Sequence, residues 1–243
     1  MSTKFIVVTG TNRGIGLALA TQFSKRGDTV IATVRSKGKA AGSSLAKLPN
    51  VTLVELDADN LATIDTAVAE INKISPDGID ELWNNLGVYN LGQNASSVRN
   101  VVPEDVHKIL QINVTAPAYL SSKLLPLLEK RNTKKIVYVT SAGASFEFSK
   151  NNSEFVNAID APFVYGASKS ALNMTAWYFH NQLNSSGFTI VPLHPGVVRT
   201  DMNPNYALIE TEESATKMIE VVDALSSKDE FVLRSYDGSV IPW

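Results

Sequence analysis

Short apolar, β-branched runs alternate along this chain with longer amphipathic stretches. The runs Phe5–Thr9, Thr29–Val34, Val51–Glu55, Ile79–Asn84, Lys135–Thr140, Phe188–Pro192 and Phe231–Leu233 predict strands. Most are near-continuous in apolar residues, as strands covered on both faces are. Helical spacing of apolar positions predicts helices at about Ile15–Arg26, Leu61–Lys73, Pro103–Lys130, Val164–Asn184 and Glu212–Leu225. Alternation of the two kinds implies an α/β fold: one doubly wound domain with a mostly parallel, seven-stranded sheet and right-handed crossovers. A chain of 243 residues suits a single domain, taken here as 1–243. No internal repeat or low-complexity segment interrupts the pattern. The stretch Ala142–Pro162 has no clear period and reads as a functional loop rather than a linker.

Composition narrows the function classes. The formal net charge is −2, which gives no reason to expect nucleic acid or an anionic membrane as partner. There is no cysteine, which excludes disulfide scaffolds, thiolate metal sites and cysteine nucleophiles. The apolar run at Phe5–Val8 is too short for a signal core or a membrane span, so a cytoplasmic location is expected. Frames such as Asn113-Val114-Thr115 then carry no glycan. His107, His180 and His194 are scattered without metal-ligand spacing, so no metal is expected.

The first strand runs directly into Thr9-Gly10-Thr11-Asn12-Arg13-Gly14-Ile15-Gly16 and then a helix. Glycines there permit a tight turn, close approach of backbone to phosphate, and close packing of helix on sheet. The helix would present free N–H groups and its positive dipole end to a pyrophosphate. A Walker A loop is ruled out, because its Gly-Lys-Ser/Thr ending is missing. The alternative is an ordinary glycine turn between strand and helix. If a dinucleotide binds, it sits at the carboxyl ends of the strands. The second strand ends Thr33-Val34-Arg35-Ser36, without the acid that accepts ribose hydroxyls in NAD sites. Arg35 offers a planar cation suited to a 2′-phosphate, and Arg13 can approach the same group. Both could instead be solvated surface charges.

Tyr165 and Lys169 stand one helical turn apart and share a face. A free phenol has a pKa near 10, and a neighbouring ammonium, helped by a positive nicotinamide, would pull it down. Without context, the pair could equally be a packing tyrosine beside a surface lysine. Ser141 ends the fifth strand at the same carboxyl edge as the glycine loop, where a hydroxyl can hydrogen-bond a substrate oxygen as charge develops on it. Asn113 lies inside a helical stretch, where Asn is a poor helix former.

These motifs resemble the short-chain dehydrogenases/reductases, in their compact single-domain Rossmann-fold branch. Thr9 to Gly16 matches the family's Thr-Gly-x-x-x-Gly-x-Gly loop at every fixed position, and the resemblance covers essentially the whole chain. It implies that Gly10, Asn12, Arg13, Gly14, Ile15 and Gly16 hold the cofactor's phosphates. It also implies that Asp57 contacts the adenine. Asn84-Asn85-Leu86-Gly87 matches an Asn-Asn-Ala-Gly element, with Asn85 and Gly87 beside the cofactor and Leu86 as a departure. Pro195-Gly196-Val197-Val198-Arg199-Thr200 matches a nicotinamide segment, which implies roles for Pro195, Gly196, Val198 and Thr200. Asn113, Ser141, Tyr165 and Lys169 appear in the order of the family's catalytic residues. The resemblance makes Asn113 the holder of a water that links Lys169 to solvent, and gives Lys169 the nicotinamide ribose.

Among subfamilies the chain looks most like fungal-type ketoreductases and small carbonyl reductases. NADP(H) and a small carbonyl or alcohol substrate are the implied ligands, with a homodimer or homotetramer as the implied assembly. The segment from Ser141 to Tyr165 is longer than is usual in the family. Its Phe146, Phe148, Phe155 and Phe163, with Val88, Tyr89, Met202 and Tyr206, could wall an apolar pocket. The Phe-rich stretch could equally be a surface loop anchored by aromatics. Leu172, Trp177, Tyr178 and Phe179 read as core or subunit-interface residues. A rival of another class is a non-catalytic NADP-binding redox sensor, which would be expected to have lost one of the four catalytic residues.

Overall fold

A computed structural model describes residues 3–89, 98–154, 163–201 and 207–243. Strands β1 (Phe5–Val8), β2 (Thr29–Val34), β3 (Val51–Glu55), β4 (Glu81–Asn84), β5 (Lys135–Val139), β6 (Thr189–His194), β7 (Leu233–Ser235) and β8 (Val240–Ile241) form one sheet in the order β3-β2-β1-β4-β5-β6-β7-β8. The seven expected strands are parallel. The short eighth returns antiparallel to β7. Its turn carries Asp237-Gly238, with Gly238 at φ +87°. That dipeptide is a turn signal for which sequence periodicity offered no strand.

Successive strand residues serve opposite faces. Val7, Ile31, Leu82, Ile136 and Tyr138 pack beneath α3 (Ala62–Ile74), α5 (Ala116–Leu128) and α7 (Phe163–Leu183). Ile6, Val8, Val30, Trp83 and Val137 pack beneath α1 (Gly14–Arg26) and α8 (Thr211–Ala224). Burial on both faces explains why the strands read as unbroken apolar runs. A short helix, α2 (Lys37–Ala40), follows β2. The order reverses between β1 and β4, which opens a crevice at their carboxyl ends. No helix among the described residues is long and apolar enough to cross a membrane.

Two stretches differ from expectation. The helix expected over Pro103–Lys130 is α4 (Pro103–Leu110), a π-turn at Gln111–Thr115, and then α5. Pro117 has no N–H to return to the Asn113 carbonyl, so the regular ladder cannot pass this point. The Ala116 N–H instead reaches back to the Gln111 carbonyl. Within the stretch expected to be irregular, a 3-10 turn (Ala142–Ala144) precedes helix α6 (Phe146–Asn151). Ser145 starts α6 by accepting the Phe148 N–H at 2.9 Å.

Candidate active site

The glycine loop is built from main chain and two threonines. Thr9 Oγ1 accepts the N–H groups of Asn85 and Leu86, both at 3.0 Å. Thr11 Oγ1 donates to the Thr33 carbonyl at 2.9 Å, tying the loop to β2. Gly10 (φ +69°) and Gly14 (φ +57°) occupy left-handed conformations that favour glycine. A Cβ at Gly16 would lie 2.2 Å from the Gly10 carbonyl oxygen, so only glycine fits there. Asn12 and Arg13 are exposed at the mouth, while Ile15 packs on the core under α1. No side chain caps α1, and its first turn holds no acid. Its leading N–H groups are therefore free for an anion. This cradle fits a pyrophosphate, and Gly10, Gly14 and Gly16 could hold one.

Around the cradle, the other expected contacts divide. The Asn85 amide donates to the carbonyls of Thr9 (2.9 Å) and Gly10 (3.3 Å), so its nitrogen braces the loop. Leu86 packs against the core on the α5 side, which accommodates the larger residue. Asp57, half-buried just after β3, accepts the Asp59 N–H at 3.1 Å. Arg35 is exposed at the end of β2 and has no ion-pair partner among the described residues. Arg13 is paired: its Nη1 lies 2.7 Å from Asp201 Oδ2, with both side chains exposed. Pro195 receives the Ser214 hydroxyl on its carbonyl at 2.6 Å. Gly196 stands at φ +88°, where a Cβ would meet Ile209 at 2.7 Å. Val198 is buried and bridges to Ile209. Thr200 faces Gly14, 3.4 Å from where a Cβ would stand. Of this segment, Thr200 is the residue that reaches the glycine loop.

At the ends of β4 and β5 the four expected catalytic side chains converge. Asn113 is fully buried in the π-turn. Its Oδ1 accepts the Val88 N–H at 2.8 Å, and its Nδ2 donates to the Val88 carbonyl at 2.9 Å and to Ser168 Oγ at 3.0 Å. Gly87 stands between Asn113 and Lys169: a Cβ there would lie 3.3 Å from Asn113 Oδ1 and 3.4 Å from Lys169 Nζ. Lys169 is buried and donates to the Val139 carbonyl at 2.8 Å. Burial holds its ammonium down at about 8. The Ser141 side chain lies beside the Tyr165 phenol, and Tyr89 lies against the Tyr165 ring at 4.8 Å between centroids. Burial pushes its phenol up to about 12, against the hydrogen bond from Ser141, and Tyr89 adds to the rise. Lys169 sits 5.8 Å from the centre of the Tyr165 ring. The downward pull expected from that ammonium does not outweigh burial here, because Lys169 is itself desolvated and bonded elsewhere.

His194, set aside as a scattered histidine, belongs to this neighbourhood. Its Nδ1 accepts the Ala142 N–H at 3.2 Å, next to Ser141. Burial holds it down at about 4, opposed by Asp237, so it is neutral and can accept. Its place directly before Pro195-Gly196 was the available signal. Phe148 packs with Ala142, Leu233 and Ile241 rather than walling the cleft, and Phe146 is exposed. Phe155, Met202 and Tyr206 lie outside the described residues. Among the described residues no cluster could hold a metal ion.

Residues 4–210 match the family model for short chain dehydrogenases. An uncharacterized oxidoreductase of Schizosaccharomyces pombe is 31% identical over 265 residues, covering 100% of this chain and 99% of the relative. The NADPH-bound carbonyl reductase from chicken fatty liver superposes with a TM-score of 0.89 at 27% identity, covering 100% of both chains. The carbonyl reductase Sniffer of Drosophila melanogaster gives 0.86 at 25% identity, again over 100% of both chains. By its family match and by its sheet order, the chain belongs to the short-chain dehydrogenase family of oxidoreductases.

Proposed function

We propose that this chain is an NADPH-dependent carbonyl reductase acting on a ketone or aldehyde. The observation that carries the reading is the convergence of Ser141, Tyr165 and Lys169 at the end of β5, with Ser141 close enough to favour the Tyr165 phenolate and Lys169 one turn along the same helix. When bound, NADPH supplies the hydride that reduces the carbonyl carbon. Ser141 then hydrogen-bonds the carbonyl oxygen and orients it. Tyr165, with its pKa near 12, is protonated at neutral pH and gives its proton to the oxygen as negative charge develops. Lys169 supplies positive charge beside the phenol and a hydrogen bond to the ribose. Asn113 and Lys169, on either side of Gly87, border the space through which a water would return the proton.

For the cofactor, Gly10, Asn12, Gly14, Ile15 and Gly16 take the pyrophosphate, Asp57 the adenine, and Asn85 and Gly87 border the ribose. Pro195, Gly196, Val198 and Thr200 close over the nicotinamide side. Arg35 takes the 2′-phosphate. Arg13 joins it by leaving Asp201, an exposed pair worth at most about 1 kcal/mol. The liver relative is described as NADPH-bound and as a carbonyl reductase, which supports the same assignment here. Presence of all four catalytic residues favours an enzyme over a redox sensor. Tyr89, against Tyr165, offers an apolar wall to an aryl or long-chain carbonyl. Met174, Trp177 and Tyr178 are exposed along α7 and form the surface on which a homodimer or tetramer would pair. A cytoplasmic location belongs to the same reading. The test is consumption of NADPH and of NADH with a panel of aryl, long-chain and small polar carbonyls. Turnover with NADPH and an aryl ketone is expected; no oxidation of NADPH by any carbonyl would overturn the reading.

A further inference from the structure

The stretch 142–151, which follows Ser141 and includes α6, is anchored by residues distant in sequence. Ser145, 1% exposed, accepts the Phe148 N–H and donates its own hydroxyl to the Trp243 carbonyl oxygen at 3.1 Å. The Glu147 N–H donates to the same oxygen at 3.2 Å. One leading N–H of α6 and the hydroxyl of its N-cap residue are thereby met by a single residue, 98 positions from Ser145. The Trp243 ring stacks on Phe231, with centroids 5.6 Å apart and planes at 12°. Phe231 is held in turn by Trp177, edge-on at 5.4 Å, and by His180 at 4.9 Å. Both of those lie on α7, the helix that carries Tyr165 and Lys169.

The same strap is pinned nearer the site. Ser170 Oγ donates to the Ala144 carbonyl at 2.8 Å, and Phe148 packs on Leu233 and Ile241 of the β7–β8 hairpin. A closed path therefore runs from Tyr165 along α7 to Trp177, across Phe231 to Trp243, and back through Ser145 to Ser141.

We infer that Trp243 is a positioning residue: its ring and carbonyl oxygen lock α6 against α7 and so set the spacing of Ser141 and Tyr165. The inference rests on the proposed roles of those two residues. A loosened α6 leaves the phosphate cradle untouched, because among the described residues no hydrogen bond or ring contact joins Gly10–Gly16 to α6 or Trp243. Misplacement of catalytic groups by a fraction of an ångström lowers turnover without changing cofactor affinity.

The test compares Trp243→Ala, Trp243→Phe and Ser145→Ala by amide hydrogen exchange and by kinetics. Trp243→Ala keeps the main-chain oxygen but removes the stack that holds it. Exchange of the 142–151 amides is expected to rise about tenfold, with the 10–16 amides unchanged. For a ketone substrate kcat is expected to fall about tenfold, with the NADPH Kd unchanged. Ser145→Ala, which cuts the link without touching the aromatic cluster, shows the same pattern. Trp243→Phe, which keeps a stacking ring, restores both readouts to the wild-type values. Because Ser145→Ala also removes the cap of α6, Trp243→Ala is the deciding variant: unchanged exchange over 142–151, or unchanged kcat, in Trp243→Ala overturns the inference. If Trp243→Ala fails to fold, Trp243→Leu, which keeps bulk but not the stacking ring, decides by the same two readouts. A Tyr165→Phe variant with normal turnover would instead overturn the catalytic reading. The exchange data would still decide whether Trp243 holds the strap.

Discussion

Lys169 donates its ammonium hydrogen bond to the Val139 carbonyl oxygen, at 2.8 Å, and both groups are buried. The cation is thus held at the end of β5, 5.8 Å from the centre of the Tyr165 ring. Its charge is costly there, which is why its pKa falls to about 8 while that of Tyr165 rises to about 12. Opposed shifts of this kind leave an ammonium and a neutral phenol together at pH 7, the state a reduction requires.

Tyr165→Phe keeps the ring packed on Tyr89 and removes only the proton donor. Reduction of a ketone should fall by roughly 10²–10⁴-fold. NADPH binding, followed by fluorescence titration, should stay within about twofold, since the cradle is remote from the hydroxyl. Steady-state turnover close to wild type would remove Tyr165 from the mechanism.

The Lys169 ammonium predicts a pH limb. Below about 8 the cation is present, and above it the folded protein loses the charge. The rate of reduction should therefore be flat near neutrality and decline as pH rises through about 8, and Lys169→Arg should move the decline upward. The same shift has a stability sign. The folded pKa lies below the 10.5 of a free lysine, so the charged lysine destabilises the free protein fully below about 8. The penalty is relieved as pH rises from there toward 10.5. Lys169→Met should raise apoprotein stability at pH 7 by about 1–2 kcal/mol, after the loss of the Val139 hydrogen bond is set against it. Urea denaturation at neutral and at alkaline pH checks this: the gap between variant and wild type should close at the higher pH.

Under the proposed function, cofactor choice rests on Arg35 and on Arg13, which pairs with Asp201. Arg35→Asp removes a cation and adds repulsion, so kcat/KM with NADPH should fall about tenfold to a hundredfold, and NADH should be affected less or improved. Asp201→Asn frees Arg13 and should tighten NADPH by up to roughly fivefold, with little change for NADH. Both ratios must be measured at one ionic strength, because the interaction is screened. Equal use of the two cofactors by wild type would make these arginines ordinary surface charges.

Gly16→Ala tests the cradle. The added Cβ would meet the Gly10 carbonyl oxygen at 2.2 Å and Asn85 Nδ2 at 2.5 Å, and neither can retreat without opening the loop. Stability should drop by about 1–3 kcal/mol, and NADPH should bind at least about tenfold more weakly. Gly27→Ala, where nothing lies within 4 Å but φ is +90°, serves as the control: it carries backbone strain and leaves cofactor affinity alone.

Much of the architecture is local and so was legible. Val7 and Val8 are apolar because one faces α5 and the other α1, and a strand buried on both sides must read that way. The glycine loop announces itself because Gly10, Gly14 and Gly16 answer to main-chain torsion and a close approach that no other residue tolerates. The shared face of Tyr165 and Lys169 follows from helical periodicity alone. These features depend on neighbours within a few residues.

Tertiary structure decided what those side chains touch. Arg13 meets Asp201 at a separation of 188 residues, and Ser145 meets Trp243 at 98. No local period encodes such contacts, because only the closure of the sheet brings those stretches together. The π-turn at Gln111–Thr115 is intermediate: Pro117 is visible in the chain, but the Val88 main chain that holds Asn113 arrives only with β4 in place. The balance of pKa values is decided last, since burial is a property of the whole fold. Sequence therefore determined which groups are candidates for the chemistry and in what order they occur. Packing determined that Lys169 is desolvated, that burial pushes the Tyr165 phenol up, and that Trp243 reaches the start of α6.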